Sequence, residues 1–521
     1  MKAHIVGGGF GGLAAAAYLI RNAGVSGQDI TIYEADERMG GGLFLGGSAE
    51  TGYNMPASVF DKEFRCTFDL LQTIPSASGS AISVKDEFFT FNTQHPFHDR
   101  VHIIDRNGLR VPHAPRFGLS VRDGLDLVRL GLTPEAMLDG RRIEEFFAPR
   151  FFSTEFWLLW STIFGSLPQH SATEFRRYMN RALGLFPDLS DLRHVLRTPV
   201  NQYQAFVEPL VAWLRPRGVN FLANTFVRDI GFAPSDGRIT VNRVDYERDG
   251  AATSVAVASD DLVLVTTGSQ AEDLSVGSMT EAPRPRESGR SSALWKRLAQ
   301  ERTGFGNPYL FFSATQVPSS RWVTFTVTTT GTEFLDQLSA LTRSKPGFGG
   351  LVTLKDSGWL LSLTIFYQPE VIGQPSGTSV WWGYGLYPER NGDYVPKRMD
   401  ACTGAEILEE VVQQLRFDQL DRIKASSICI PCDMPYVNNI WMPRSRTDRP
   451  PVVPEGVTNL GLIGQYVEVP RDIAFTIEYS ARTAWEAVHL LLKRGPAPPP
   501  VYQGQYDPKA LLTALKVFIC Q

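Results

Sequence analysis

The stretch Lys2-Ala-His-Ile-Val-Gly-Gly-Gly-Phe-Gly-Gly12 decides the fold. Ala3 to Val6 reads as a buried strand, and Leu13-Ala-Ala-Ala-Ala-Tyr-Leu-Ile20 as the helix that follows it. Between them, Gly7, Gly9 and Gly12 take the spacing G-x-G-x-x-G. Gly7 permits a tight turn, Gly9 lets the backbone approach a pyrophosphate, and Gly12 lets helix and strand pack closely. The pyrophosphate then meets the positive end of the helix. The motif alone is weak. It gains weight from a second strand, Ile30-Thr-Ile-Tyr33, which ends in Glu34. That carboxylate follows the last glycine by roughly 20 residues, the place from which a ribose is bound.

Arg38-Met-Gly40-Gly41 adds an R-x-G-G segment of the kind found in FAD enzymes of the amine-oxidase and desaturase type, so the cofactor expected is FAD. Two later apolar strands end in glycine turns: Asp261-Leu-Val-Leu-Val-Thr-Thr-Gly268, and Asn459-Leu-Gly-Leu-Ile-Gly464 with a helix from about Phe475 to Leu492. Long insertions separate them. The expected fold is therefore α/β, with a discontinuous Rossmann-type FAD-binding domain over 1–50, 200–275 and 452–495. Residues 51–199 are expected to form a helical, aromatic lobe lining a substrate pocket. Residues 276–451, with runs such as Trp322-Val-Thr-Phe-Thr-Val-Thr, form a mixed-sheet substrate domain. Residues 496–521 form a tail: a Pro-rich linker, then a short helix capped by Asp507 and running from Lys509 to Cys520. Its apolar surface either docks on the body or makes a peripheral membrane contact.

Composition narrows the function. With 521 residues, 20% charged and a net charge of −4, nothing advertises nucleic acid. Five cysteines do not suit a secreted disulfide framework. A strand beginning at Ala3 leaves no room for a signal peptide, and the run Leu13 to Ile20 is too short to span a membrane, so the expected location is the cytoplasm. No metal is expected: Cys429-Ile-Pro-Cys432 lacks a second pair, and His95-Pro-Phe-His98 lacks further ligands. Phe146, Phe147, Phe151, Phe152, Phe156, Trp157, Trp160 and Phe164 crowd one stretch, as a plain core or as the wall of an apolar tunnel. Ser171-Ala-Thr-Glu174 reads as a capping box opening the helix that carries Tyr178.

Further segments give the chain a family resemblance. They include Cys66-Thr-Phe-Asp-Leu-Leu-Gln-Thr-Ile-Pro75, Glu174-Phe-Arg-Arg-Tyr-Met179, Asn201-Gln-Tyr203 and Gly349-Gly-Leu-Val-Thr353. Trp382-Gly-Tyr-Gly385, Met434-Pro-Tyr436, Asp448-Arg-Pro450, Gly464-Gln-Tyr-Val-Glu-Val-Pro470 and Pro499-Pro-Val-Tyr-Gln-Gly-Gln-Tyr-Asp-Pro508 continue it. Over nearly its whole length the chain resembles the FAD-dependent oleate hydratases, also called myosin-cross-reactive antigens. The resemblance implies a hydro-lyase that adds water to an isolated cis double bond without net redox change. FAD, oxidised or as FADH2, shapes the site.

In that family a tyrosine of an R-R-Y-M helix protonates the alkene, a glutamate closing an R-G-G-R-E segment orients water, and a T-x-N-R-Q-P-H segment holds the substrate carboxylate. Carried over, the proton donor is Tyr178. The glutamate position is Val59, in Met55-Pro-Ala-Ser-Val59, so the water-activating group is lost. In Thr364-Ile-Phe-Tyr-Gln-Pro-Glu370, Thr364 stands but Phe366 replaces the asparagine and Glu370 the histidine. Asn201 joins the expected substrate-binding residues; Gly7, Gly9, Gly12, Glu34, Arg38, Gly40, Gly41, Gly268 and Gly464 are the expected cofactor residues. Losing a positioned base removes about 10²- to 10⁴-fold in rate. A glutamate about 4 Å from a bound carboxylate costs roughly 4 kcal/mol at an effective dielectric near 20. The leading reading is hydration of a long apolar, fatty acid-like substrate by a monomer or homodimer; Asp61 and Glu63, close in sequence to the lost carboxylate, read as ordinary surface carboxylates before they read as its substitutes. The alternatives are isomerisation or cyclisation of a polyene or terpenoid, a flavin oxidase or desaturase, and a non-catalytic lipid-binding flavoprotein.

Overall fold

A computed structural model describes residues 1–77, 81–96, 100–235, 237–348 and 350–519. His98, Gly349 and Cys520 lie outside the described residues. The first sheet is parallel and has five strands in the order Leu460–Ile463, Leu262–Thr266, Ala3–Val6, Ile30–Tyr33, Asn220–Leu222. Three distant parts of the chain thus meet in one sheet. Its central strand is buried between two neighbours, with Ala3 opposite Ile30 on one side and Leu262 on the other.

The first helix, Phe10–Ala23, is buried nearly all round, which four consecutive alanines permit. It packs against the helix Ile477–Leu492, with Gly11 beside Ser480 and Tyr18 stacked on Trp485. The latter helix begins two residues beyond the expected Phe475: Thr476 caps it, and the Phe475 N–H is spent elsewhere. An antiparallel three-stranded sheet, Thr225–Ser235, Arg238–Arg248 and Ala251–Ala256, branches off this domain.

The second sheet has eight strands in the order Ser275–Val276, Ser427–Met434, Trp322–Thr329, Ser379–Gly385, Leu361–Ile365, Val352–Leu354, His102–Ile104, Arg110–Val111. Its last two strands come from within 51–199, so the aromatic lobe and the second sheet share backbone pairing. Strand periodicity sorts its two faces. Val323, Phe325, Val327, Leu361, Leu363 and Trp381 pack under the helices Glu333–Thr342 and Gly404–Gln414. Trp322, Trp382, Tyr384, Cys432 and Met434 form the other face, against Phe44, Ala57, Phe366 and Phe475. That face therefore looks toward loops of the first domain.

The same alternation disposes of the Cys429-x-x-Cys432 pair. The two thiols fall on opposite faces of one strand, in different clusters, and burial pushes Cys432 up to about 12. The crowded phenylalanines are mostly core: Phe147 and Phe151 stack at 4.0 Å, and Phe156, Trp160, Phe175 and Phe186 close the packing. The tail helix spans Pro508–Ile519 and docks on Leu183–Asp188 with Ala510 and Ala514 buried, while Leu511 and Leu512 stay exposed. Among the described residues no helix is long and apolar enough to cross a membrane.

Candidate active site

Gly12 and Gly7 are fixed by steric contacts. A Cβ on Gly12 would sit 1.9 Å from the Gly7 carbonyl oxygen, inside the helix–strand contact. Gly7 has φ +99°, and its Cβ would strike Thr266 at 2.1 Å. Gly9 is different: a Cβ there would meet nothing nearer than the Gly41 Cα, at 3.8 Å. The space beside Gly9 lies at the N-terminus of Phe10–Ala23, which has no side-chain cap and no acidic residue in its first turn. Uncapped N–H groups facing open space suit a pyrophosphate.

The R-x-G-G segment completes the cradle. Gly40 N–H donates to the Gly8 carbonyl at 2.9 Å, and Gly41 lies against Gly9. Arg38 is exposed at the rim. Glu34 is buried, with its carboxylate accepting the Gly8 N–H at 2.7 Å and the Asp36 N–H at 2.9 Å. Burial raises its pKa and the two N–H groups oppose the rise. Two of its roughly four acceptor positions remain for a ribose. Gly464 has φ +100° with nothing within 4 Å of a would-be Cβ, whereas Gly268, φ +136°, is pressed by Phe312. These residues fit FAD.

Tyr178 sits on the helix Ala172–Arg181, nearly every residue of which is buried. Its ring lies 4.6 Å from Trp441 and 5.7 Å from Phe164. Its oxygen accepts the Phe475 N–H at 2.8 Å, leaving the phenolic hydrogen without an acceptor among the described residues. Phe475 in turn contacts Trp322 on the inward face of the second sheet. The phenol thus stands where the first domain's last loop meets the apolar face. Burial, then the Glu174 carboxylate, push its pKa well above 10, and the Phe475 N–H opposes them. It is protonated at neutral pH, and the same N–H would stabilise the phenolate left after proton donation.

The other face of this helix is ionic, which sequence reasoning missed. Only half of the expected capping box forms. The Ser171 hydroxyl accepts the Glu174 N–H, but the Glu174 carboxylate turns to Arg444 at 2.9 Å and Arg449 at 3.2 Å. Arg177 binds Glu135 at 2.8 Å and Glu468 at 2.7 Å. Burial raises the Glu174 carboxyl, but Arg449, Arg444 and Arg177 outweigh it and hold the group below its usual range. Glu174 and Arg177, three apart on one helix, were the available signal; their partners lie far along the chain.

The substrate-binding expectations land unevenly. Thr364 lies on the strand beside Trp382, and Phe366, just past the strand's end, packs into the apolar cluster. Glu370 is buried, with 6% of its surface exposed. Burial pushes its pKa well above the carboxylate range, only partly opposed by Arg197. Asn201 is redirected: its N–H and side-chain amide both donate to the Glu370 carbonyl, and the amide also reaches Gln204. It positions the Glu370 loop. Val59 is 49% exposed, beside Phe60, which pairs with Leu196. Neither nearby carboxylate faces it as a ready base: Asp61 lies 3.5 Å from Arg181, and Glu63 pairs with Arg65 at 2.7 Å. Among the described residues no cluster of His, Cys, Asp and Glu could hold a metal.

Cradle, parallel sheet and facing second sheet define a Rossmann-type FAD-binding protein. The solved structures agree at the level of fold: cyclohexylamine oxidase from Brevibacterium oxydans matches with a TM-score of 0.55 at 13% identity, over 94% of this chain and 98% of that one. A putrescine oxidase matches with a TM-score of 0.55 at 11% identity, over 95% and 99%. The chain itself belongs to the MCRA family, whose sequence profile matches residues 1–489. It is similar to the oleate hydratase of Streptococcus pyogenes serotype M49, 34% identical over 98% of this chain and 89% of that protein. It is also similar to the linoleate hydratase of Lactiplantibacillus plantarum, 31% identical over 99% and 98%.

Proposed function

We propose that this protein is a hydro-lyase that adds water to an isolated C=C bond of a long, fatty acid-like substrate with FAD bound. The observation that carries the reading is the buried Tyr178 phenol, its oxygen held by the Phe475 N–H and its hydrogen unclaimed. Tyr178 gives its proton to one alkene carbon as the π pair forms the new C–H bond. Water bonds to the other carbon and loses a proton, which restores the phenol. No electrons are exchanged, so the scheme holds with FAD oxidised or as FADH2; when bound, the flavin supplies a polar, planar wall. Gly9, Glu34, Gly40, Gly41 and the free end of the first helix would hold it.

The Val59 position contributes no base, so water adds to a carbon already made cationic by Tyr178. Trp322, Trp382, Tyr384, Phe366 and Phe475 provide the apolar surface for the chain. At the head-group end, Thr364 is neutral and the buried Glu370 carboxyl has its pKa raised by burial, so the pair favours an uncharged group over a second buried carboxylate. We place the enzyme in the cytoplasm, with Leu511 and Leu512 as its route to any peripheral membrane contact. Mass spectrometry of products from a panel of cis-unsaturated fatty acids and their alcohols tests this. A product heavier by one water is expected; products of unchanged mass from every substrate would refute hydration.

A further inference from the structure

In the helix Val121–Leu132 the acids turn inward and the aliphatic residues face water. Val121, Leu125, Val128 and Leu132 are 73%, 65%, 54% and 78% exposed. Their spacing, i, i+4, i+7 and i+11, sets them in one stripe along the helix. Met137, also exposed, follows just past the helix end. Exposed aliphatic residues are ordinary one at a time, but a continuous row marks a binding face. Asp123, by contrast, is buried: it closes a capping box with Ser120 and pairs with Arg150 at 3.2 Å. The Asp126 side chain is mostly covered and lies 4.0 Å from Arg122.

The stripe stands on a firm support. Leu127 and Leu130 are buried beneath it. Gly131 lies against the helix that carries Tyr178, so closely that a Cβ would sit 3.1 Å from the Met179 methyl. Charge and size say what covers the stripe. Arg122 and Arg129 are the exposed charges of this helix, and their spacing of seven places both along one flank of the stripe. An anionic surface suits them, whereas a second copy of this helix brings the same arginines and no exposed acid to meet them. Five side chains make a patch of about a few hundred Å², while each partner in a stable protein complex buries about 800 Å². A single helix with an apolar stripe and a basic flank is the form that lies in a lipid surface, its apolar face sunk about 5–10 Å into the headgroup boundary.

We propose that Val121–Leu132 docks the protein on an anionic lipid surface, with the aliphatic stripe among the acyl chains and Arg122 and Arg129 on headgroup phosphates. The contact extends beyond the tail's Leu511 and Leu512. It sets the lipid one helix away from Tyr178, since Val121–Leu132 packs directly on Ala172–Arg181.

The test is co-sedimentation of the full-length, FAD-loaded protein with vesicles of phosphatidylcholine, alone or mixed with phosphatidylglycerol. Wild type should sediment with the anionic vesicles and more weakly with the neutral ones. Leu125→Gln combined with Val128→Gln should weaken partitioning by about tenfold or more. Melting temperature and FAD content should not change, because both side chains already face water and glutamine is a good helix former. Arg122→Gln and Arg129→Gln should each cost about fivefold, on anionic vesicles only. Turnover is not read, so failure here leaves the hydration reading intact. The proposal is overturned if wild type ignores both kinds of vesicle, or if the Leu125/Val128 variant binds as wild type does while Leu512→Gln abolishes binding. It is also overturned if light scattering shows a dimer that the Leu125/Val128 variant dissociates.

Discussion

The glycine cradle and the segment Thr364–Glu370 are both binding surfaces, but one is made by backbone and the other by side chains. In the cradle, what matters is the absence of atoms: a single Cβ at Gly12 or Gly7 collides within about the length of a bond or two. At Thr364–Glu370 a strand end, Thr364 and Ile365, runs into a loop, and binding depends on which groups project from it. A backbone site tolerates almost no substitution and so announces its ligand. A side-chain site can change its preference with two substitutions while the fold stays put.

The largest expected effect separates two glycines in one loop. Gly12→Ala places a methyl 1.9 Å from the Gly7 oxygen and 3.3 Å from Ile5, so folded protein should be lost. Gly9→Ala clears its neighbours and should fold with an unchanged melting temperature in the apo state, yet lose about 100-fold in FAD affinity, roughly 2.7 kcal/mol. Circular dichroism and flavin titration read both. Equal behaviour of the two variants would break the distinction between fold and cradle.

A smaller effect is expected at the side-chain site. Phe366→Asn with Glu370→His should move kcat/KM from oleyl alcohol toward oleate by about tenfold or more, because a charge-assisted hydrogen bond contributes about 1.5–3 kcal/mol. An unchanged ratio would mean that the head group docks elsewhere.

The smallest effect isolates the Glu370 proton. Its folded pKa is raised, so the stability it contributes is fully present below the unfolded carboxylate pKa and is lost as pH rises toward the folded value. Glu370→Gln removes that loss. The stability difference between variant and wild type should grow in the variant's favour from pH 5 to pH 8, by at most about 1.4 kcal/mol per pH unit. Melting curves across this range measure it, and a flat difference would show that Glu370 titrates normally.

What was legible in the sequence follows the same division. Gly7, Gly9 and Gly12 could be read because their constraint is local: strand, turn and helix lie within one short stretch. Tyr178 could be placed only by resemblance, since its hydrogen-bond donor, Phe475, is 297 residues away. Ser171 and Glu174 looked like a capping box for want of the arginines, Arg444 being 270 residues on. Asn201 looked like a substrate residue, yet it spends its amide on the Glu370 backbone. Alternation predicted strands from Trp322, but not that one face would meet Phe44 and Phe475 from the other domain.

The most direct test of the whole account is Tyr178→Phe assayed beside wild type at matched FAD content, in water enriched in ¹⁸O. The substitution leaves the Phe475 N–H without its partner, a loss of about 1 kcal/mol in stability, so the variant should still fold and hold flavin. Wild type should incorporate one solvent oxygen into the product, and the variant should do so slower by about 10²-fold or more. Full turnover in the variant, or a wild-type product without solvent oxygen, would contradict the assignment of Tyr178 as the proton donor of a hydratase.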